Sequence, residues 1–532
     1  MNYRLVARSL GLIALLLAAT MLFSLPWAHP ALGCHGHLPN PDNAGFETRG
    51  FVALLLSSAL SGALGCLLAW IGRPARHQHL FRKEAMAIVG LAWIMATILG
   101  ALPYLFAGVE LAPGLRMHLI DAMFESQSGF STTGATVLTD LEDGDLVPHC
   151  ILFWRSSTHF LGGLGIVVLL VAILGQGSGG KAMMRAEITG PTKESSFSRM
   201  QKTAIVFATI YVGLNALLTL IFWLSGMSLF DALCHAFGTM ATGGFSTYNK
   251  SLGHFESAWI EYVTTAFMII AGTNFGLLLL ALTGQPGRLF LDPEWRVYVG
   301  IILGVTVAVI AFGWYHGDFA TPEAAVRDSL FQVVSIMTTT GYGTDDYDVW
   351  NNFGRGVLLL LMFIGGCAGS TGGGMKVIRH VLLGIILRHE LELSYHPNVR
   401  RPLRLGGQPL TDPDIRKHIL VYFGLVSAVF ACSWLALITI EPDTQWMAPT
   451  ATATGNPDPS ADQLDHKLLD CASAVAATLH NIGPGYGVVG PTANYAHFAP
   501  ASKLLFIFLM MLGRLEMFSI LVLFLPAFWR KI

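Results

Sequence analysis

The chain has 532 residues, of which 53% are hydrophobic and only 12% charged, with a formal net charge of −2. A soluble globular chain carries roughly a quarter charged residues to coat its surface, so the composition excludes a protein wetted on most sides and points to no nucleic-acid partner. The apolar residues fall in blocks near 20 residues, the length that crosses a hydrocarbon core, and they predict an all-α polytopic protein embedded in a lipid bilayer.

Ten spans are read at about 9–27, 51–71, 86–108, 151–175, 203–225, 258–281, 297–316, 356–387, 418–440 and 501–527. The first, Leu10 to Pro26, has the basic start (Arg4, Arg8) and apolar centre of a secretory signal. No A-x-A-like site follows promptly and the second span pairs with it, so it is read as a retained helix. The seven cysteines are scattered and odd in number, which gives neither a disulfide framework nor a metal site. Cys34-His35-Gly36-His37 has metal-ligand residue types but is read as a short outer loop. Alternate connections hold 23 of the 32 basic residues, which places both termini on the cytoplasmic side. The opposite face carries 8 basic and 24 acidic residues, a net charge of −16 that would concentrate cations at a pore mouth.

Four outer connections repeat one pattern. They run from Asp121 to Gly134, Asp231 to Gly243, Asp328 to Gly341 and Asp470 to Gly483, with Asp-to-Gly spacings of 13, 12, 13 and 13. Each opens with Asp and a small residue, continues through about ten mostly apolar residues and ends at glycine. The chain divides accordingly into a two-helix domain (1–85) and four repeats (86–202, 203–296, 297–417 and 418–532). In each repeat a membrane helix, a pore loop and a second membrane helix follow in the same parallel sense around one pore.

Ten residues of helix rise only about 15 Å, too little to span a bilayer. The stretch therefore reads as a half-helix that enters from outside and stops midway. Asp121, Asp231, Asp328 and Asp470 suit its N-cap better than they suit direct ion ligation. Its C-terminal end carries partial negative charge toward the membrane centre. Non-helical backbone at that depth must line a cavity or be buried in protein. Thr132-Thr133-Gly134, Ala241-Thr242-Gly243, Thr339-Thr340-Gly341 and Asn481-Ile482-Gly483 fit such segments. Rings of their carbonyls could replace the hydration shell of K⁺. None of them contains a carboxylate, which disfavours an acidic filter for divalent cations.

The eighth span is too long for one crossing and contains Gly365, Gly366, Gly369, Gly372, Gly373 and Gly374. Each glycine costs a helix about 1 kcal/mol relative to alanine, so a regular helix fails here. A phosphate loop needs G-x-x-x-x-G-K-[ST], whereas Gly374 is followed by Met375 before Lys376-Val377. A close helix–helix contact through small residues is a second reading. The preferred one is a flexible gating loop below the filter. Arg514, a charge inside the last span, faces a cavity or a partner and would add an electrostatic barrier. Glu516, two residues away, projects in a different direction.

These residues resemble the Trk/Ktr/HKT superfamily of K⁺ transporters over about 86–527, with one filter glycine per repeat. The two extra N-terminal spans, His480 to Gly487 and Gly513-Arg514-Leu515-Glu516 are similar to the TrkH/TrkG branch rather than to KtrB. The resemblance implies K⁺ uptake across a bacterial inner membrane by a homodimer, with a cytoplasmic ring of TrkA-type subunits that bind nucleotide. It also implies the gating role of the glycine-rich segment and of Arg514. Serine at the first filter glycine accompanies Na⁺ transport in plant relatives, and Gly134 here favours K⁺. Gly162-Gly163-Leu164-Gly165 lies inside a span and makes no dinucleotide site, so nucleotide is expected on the partner only. The basic connection Lys376–Lys417 is the expected docking surface, or simply positive-inside charge. An ion-coupled secondary cation transporter is the alternative, but its inverted repeats and buried carboxylate relay are not evident. No catalytic constellation is found; His159 and Arg155 read as structural, and no bound cofactor is expected.

Overall fold

The computed structural model describes residues 1–33, 45–73, 81–165, 197–397, 404–409, 414–443, 446 and 461–530. Cys34 to His37 and parts of the connections at 180–202 and 376–417 lie outside the described residues. Two helices, α1 (Tyr3–Leu22) and α2 (Thr48–Ile71), pack side by side at the N-terminus. Small residues let their backbones approach: a Cβ on Gly11 would lie 2.6 Å from Ala69 N. The Ser58 hydroxyl donates to Ala18 O across the contact at 2.8 Å.

From α3 (Arg82–Ala107) onward, one arrangement occurs four times. A long helix is followed by a shorter one, then by non-helical chain, then by a helix that stops partway. The first set is α3, α4 (Leu119–Phe130) and α5 (His149–Leu164). The second is α6 (Phe197–Leu224), α7 (Leu229–Met240) and α8 (Ala258–Ala271), continued by α9 (Phe275–Leu282). The third is α10 (Pro293–His316), α11 (Pro322–Met337) and α12 (Asn352–Leu361), with α13 (Val377–Tyr395) beyond the glycines. The fourth is α14 (Ile415–Ile440), α15 (Ala461–Leu479) and α16 (Pro500–Arg514), continued by α17 (Phe518–Leu521). Two small antiparallel hairpins, Glu110–Ala112 with Leu115–Arg116 and Arg404–Leu405 with Gln408–Pro409, and several short helical turns lie in the connections.

Among the described residues, six helices are long and apolar enough to cross a membrane, or eight if each bent pair counts as one. Of the ten spans expected above, the eighth is interrupted at its glycines and two are bent pairs. The spans at 258–281 and 501–527 are bent by 104° and 117°. Asn274 restarts the first in a new direction, its side chain accepting from Gly276 N at 2.7 Å and Leu277 N at 3.3 Å. In the second, Glu516 and Met517 take positive φ (+53° and +64°), a region most side chains avoid. The fourth span is described only to Gly165.

The breaks sit against the ends of the short helices. A Cβ on Gly162 or Gly513 would fall within 3.0 Å of Phe130 O or Leu479 O, the last residues of α4 and α15. The buried core is in two main parts. One joins the N-terminal pair to the first and fourth sets, and the other joins the second and third.

A fully buried ion pair in the first set reaches the second through its arginine. Arg155 Nε lies 2.6 Å from Glu125 Oε1. Glu125 also accepts from Thr136 Oγ1 (2.9 Å) and Val137 N (3.0 Å). Arg155 donates from Nη1 to Ser246 O (2.9 Å) and stacks on the Phe245 ring at 3.4 Å. Removing one partner of such a pair leaves an uncompensated buried charge, at about 3–5 kcal/mol. Arg155→Met should therefore lower the thermal unfolding midpoint in detergent sharply, and adding Glu125→Gln should recover part of the loss. A single variant as stable as the parent chain would show that the pair is not holding the two loops.

Candidate functional site

The four aspartates are not helix N-caps, which corrects that expectation. Asp121 and Asp231 are the third residues of α4 and α7, whose caps are His118 and Ser228. Asp328 and Asp470 lie well inside α11 and α15, which start at Pro322 and Ala461. Thr321 caps α11, accepting from Ala324 N at 3.1 Å, and Pro322 supplies the helical φ at the first position. Each aspartate instead clasps the outer end of its set. Asp121 receives Lys503 Nζ at 2.6 Å and Asp231 receives Thr247 Oγ1 at 2.8 Å. Asp328 receives Arg327 Nε and Asp470 receives Trp446 Nε1, at 3.0 and 3.1 Å.

The chain leaving each short helix has one repeated backbone signature. Thr132, Thr242, Thr339 and Asn481 take positive φ of 52–59°, and two residues later Gly134, Gly244, Gly341 and Gly483 do so too. The residue between them donates its amide back five residues in every case: Thr133 to Ser128 O, Gly243 to Gly238 O, Thr340 to Ser335 O and Ile482 to Ala477 O, at 2.8–2.9 Å. The second loop therefore reads Thr242-Gly243-Gly244. Ala241 is the C-cap of α7, and Gly243 holds the place of a threonine or isoleucine. This corrects the expected Ala241-Thr242-Gly243 by one residue, and the Asp-to-Gly spacing becomes 13 in all four loops. In this Gly-Gly pair it is the second glycine, Gly244, that takes the left-handed backbone. Gly243 is needed for a different reason: a Cβ there would lie 2.5 Å from the His159 ring, which stacks on Phe245 at 4.0 Å.

The four loops close on one another. A Cβ on Gly134 would fall within 3.0 Å of Gly243 O, one on Gly244 within the same distance of Thr340 O, one on Gly341 of Ile482 O, and one on Gly483 of Thr133 O. Each glycine faces the carbonyl before the glycine of the next loop, in the order one, two, three, four and back to one. Among the described residues, the carbonyls of Thr132, Thr133, Gly134, Thr242, Gly243, Gly244, Thr339, Thr340, Gly341, Asn481 and Ile482 accept no hydrogen bond. More than nine in ten buried backbone groups are paired in folded proteins. Unpaired carbonyls with no carboxylate among them are the kind of ligand that can replace the hydration shell of a monovalent cation.

Outside this ring, side chains hold the loops. Ser335 Oγ donates to Tyr342 O at 2.7 Å, and the Tyr347 hydroxyl to Gly485 O at 2.9 Å. Asp348 accepts from Gly487 N at 3.0 Å. Burial pushes its carboxyl up to about 6 against that hydrogen bond, with Asp346 adding to the rise.

The glycine-rich segment between α12 and α13 lies directly against the inner ends of the loops. Gly373 N donates to Thr339 Oγ1 at 2.7 Å. A Cβ on Gly373 would lie 2.6 Å from Asn481 Cβ, one on Gly374 3.1 Å from His480 O, and one on Gly372 3.2 Å from Thr338 O. The segment also fills the break between α8 and α9, where Cys367 N donates to Gly272 O (2.8 Å) and Asn274 Nδ2 to Ala368 O (2.6 Å). Gly365 N donates to Met375 O at 2.7 Å, Val377 N to Gly366 O at 3.2 Å, and Phe275 N to Gly369 O at 3.0 Å. Glu294 Oε1 accepts from Ala368 N and Ile378 N, at 2.7 and 3.1 Å. This is a tied segment, not the loose loop that its composition suggested.

Arg514 reaches across it, donating to Thr371 O at 2.7 Å and to Gly162 O at 2.6 Å. Glu516 pairs with Arg379. Lys376, fully buried, donates to Gly372 O and Gly373 O. Lys376, Glu294 and Asn274 lie outside the site residues expected from the sequence. Lys376 carried a signal, a charge ending a segment at membrane depth; the other two become visible only through what they touch.

Residues 63–456 and 460–531 match the family model described as TrkH, a cation transport protein. The Trk system potassium uptake protein TrkH of Salmonella typhimurium is 38% identical over 536 residues, covering 100% of both chains. The chain belongs to the TrkH family. TrkG of Escherichia coli is 30% identical over 466 residues, covering 87% of this chain and 89% of that one. The crystal structure of the potassium transporter TrkH from Vibrio parahaemolyticus superposes with a TM-score of 0.81 at 33% identity, over 100% of each chain. With its apolar helices, this TrkH-family chain is a multi-pass membrane protein.

The loop register is testable through folding. In this TrkH-family chain, Gly244→Ala places a Cβ at φ +74° against the Thr340 carbonyl, where no side chain can move aside. The left-handed backbone alone costs an alanine about 1–2 kcal/mol. The three atoms nearest a Cβ at Gly243 all belong to the His159 ring, so His159→Ala should rescue Gly243→Ala and should not rescue Gly244→Ala. The thermal midpoint of purified protein is the measurement, and equal rescue of both would refute the register.

Proposed function

We propose that this chain carries K⁺ across the cytoplasmic membrane through a single path on which its four loops converge. The observation that carries the proposal is the closed set of unpaired carbonyls at Thr132–Gly134, Thr242–Gly244, Thr339–Gly341 and Asn481–Ile482. Oxygen dipoles without acid groups suit a dehydrated monovalent cation, and relatives named potassium uptake proteins make K⁺ the cation of choice. The short helices then act as pore helices, their C-terminal carbonyl ends turned toward the ion. Basic residues on alternate connections favour cytoplasmic termini, and the bacterial relatives favour an inner-membrane location. Regulation falls to a partner, a cytoplasmic TrkA-type nucleotide-binding ring on a homodimer, with the basic 376–417 connection as its dock.

In this reading the segment from Gly365 to Gly374 closes the path and Arg514 holds it shut. Its contacts with Thr338, Thr339, His480 and Asn481 support a position directly beneath the loops. The two Arg514 hydrogen bonds span from that segment to the break after α5.

Flux into proteoliposomes, normalised to folded protein and without any cytoplasmic subunit, tests the gate. Arg514→Ala should raise K⁺ flux by roughly tenfold, the factor that about 1.4 kcal/mol of barrier is worth. Deleting several of the glycines should raise it further, and Arg514→Lys should stay near the parent value. A fall in normalised flux for both would leave the segment as packing only. In the filter, Gly134→Ser should relax discrimination of K⁺ against Na⁺; unchanged ion ratios would remove the filter assignment. Single-channel recording separates conduction from coupled transport, since slow coupled flux without discrete currents would favour the secondary transporter.

A further inference from the structure

The four loops share one backbone signature, yet the fourth departs from it at its glycine in three independent ways. Gly483 has φ +102°, whereas Gly134, Gly244 and Gly341 lie between +74° and +82°. Gly483 is buried, while the other three are partly exposed. Its carbonyl accepts the Tyr495 hydroxyl at 2.8 Å, whereas the other three glycine carbonyls accept nothing among the described residues.

Tyr495 is itself firmly placed. It is buried, its amide donates to Thr136 O in the first loop at 2.8 Å, and its ring packs against Phe124, Phe498 and Phe506. A rigid wall of the site thus presents a phenol to one carbonyl out of four.

We propose that Tyr495 is a positioning residue for selectivity: its hydroxyl holds the Gly483 carbonyl off the ion path, so that the glycine ring offers a cation three carbonyls and not four. This rests on the filter reading above. A neutral oxygen ring discriminates K⁺ from Na⁺ partly by the number of its dipoles, so withdrawing one lowers both K⁺ affinity at that ring and discrimination against Na⁺. The residue after Gly483 is proline, which carries no amide hydrogen and restricts the backbone of the residue before it.

The experiment is Tyr495→Phe, which keeps the ring and its packing and removes one hydroxyl. Two quantities are read on the purified full chain. The first is the K⁺-to-Na⁺ flux ratio in proteoliposomes with the half-saturating K⁺ concentration. The second is the rise in thermal unfolding midpoint that K⁺ gives over Na⁺ in detergent, which needs no transport. If the hydroxyl withholds a ligand, Tyr495→Phe should raise the K⁺-to-Na⁺ ratio and lower the half-saturating K⁺ concentration, each by about two- to tenfold, the span of one hydrogen bond's net contribution. K⁺-specific stabilisation should grow in parallel.

A hydroxyl that merely braces the loop predicts the opposite sign: its loss would loosen the site, reduce the ratio and weaken K⁺-specific stabilisation. That result, or values equal to the parent's, overturns the proposal. Gly134→Ser, measured alongside and normalised to its folded fraction, keeps the two readings apart. If Gly134→Ser shifts the ratio and Tyr495→Phe does not, the filter stands and the role of Tyr495 is refuted. If neither shifts it, the filter reading itself fails.

Discussion

Everything in this fold depends on keeping a set of backbone carbonyls without hydrogen-bond partners deep inside an apolar protein. Such groups are costly to bury, and non-helical chain survives at membrane depth only where it is held by protein or faces a cavity. The four loops meet this cost by fixing their other half. The amides of Thr133, Gly243, Thr340 and Ile482 are each tied back to the preceding helix, which leaves the carbonyl side free. A threonine or asparagine in the left-handed region and a glycine two residues on give the chain the sharp path this requires.

What stands behind the loops is polar and buried, and it is arranged as braces. Glu125 holds Arg155, which reaches Ser246 O of the second set, and Lys503 with Asp121 spans the first and fourth. Charges at this depth are tolerated because each has a partner of opposite sign and further hydrogen bonds. The aspartates at the outer ends belong to this bracing. Their repeat in the sequence records a fourfold need for anchorage, met by a different donor in each set.

Below the loops the same logic takes another form. Each helix that follows a loop stops partway, and the space that opens is filled by the glycine-rich segment with Lys376 and Arg514 against its carbonyls. Glycine serves here because neighbouring backbones approach too closely for a side chain, as Gly366 does to Gly272 O. A packing role and a position under the loops are therefore not rival descriptions of these residues. The arrangement is only approximately fourfold, and its asymmetries, among them the extra glycines of the third set and the engaged Gly483 carbonyl, give single residues distinct work.

The sequence by itself determined the membrane setting, the short helices and the left-handed glycines that end three of the loops. Hydrophobic block length and a recurring Asp-to-Gly spacing are local properties, readable without neighbours. It misplaced the second loop by one residue because Gly243 and Gly244 are alike as letters. They differ only in what surrounds them, a His159 ring in one case and a Thr340 carbonyl in the other. The N-caps failed for a related reason: Asp328 suits a cap, but Thr321-Pro322 upstream starts the helix first. Only the tertiary structure decided the bends after Ala271 and Arg514, the partners of Lys376 and Arg514, and the engagement of Gly483 by Tyr495. Each joins residues distant in sequence or depends on the space that other elements leave, and no period or motif in a single chain encodes that space.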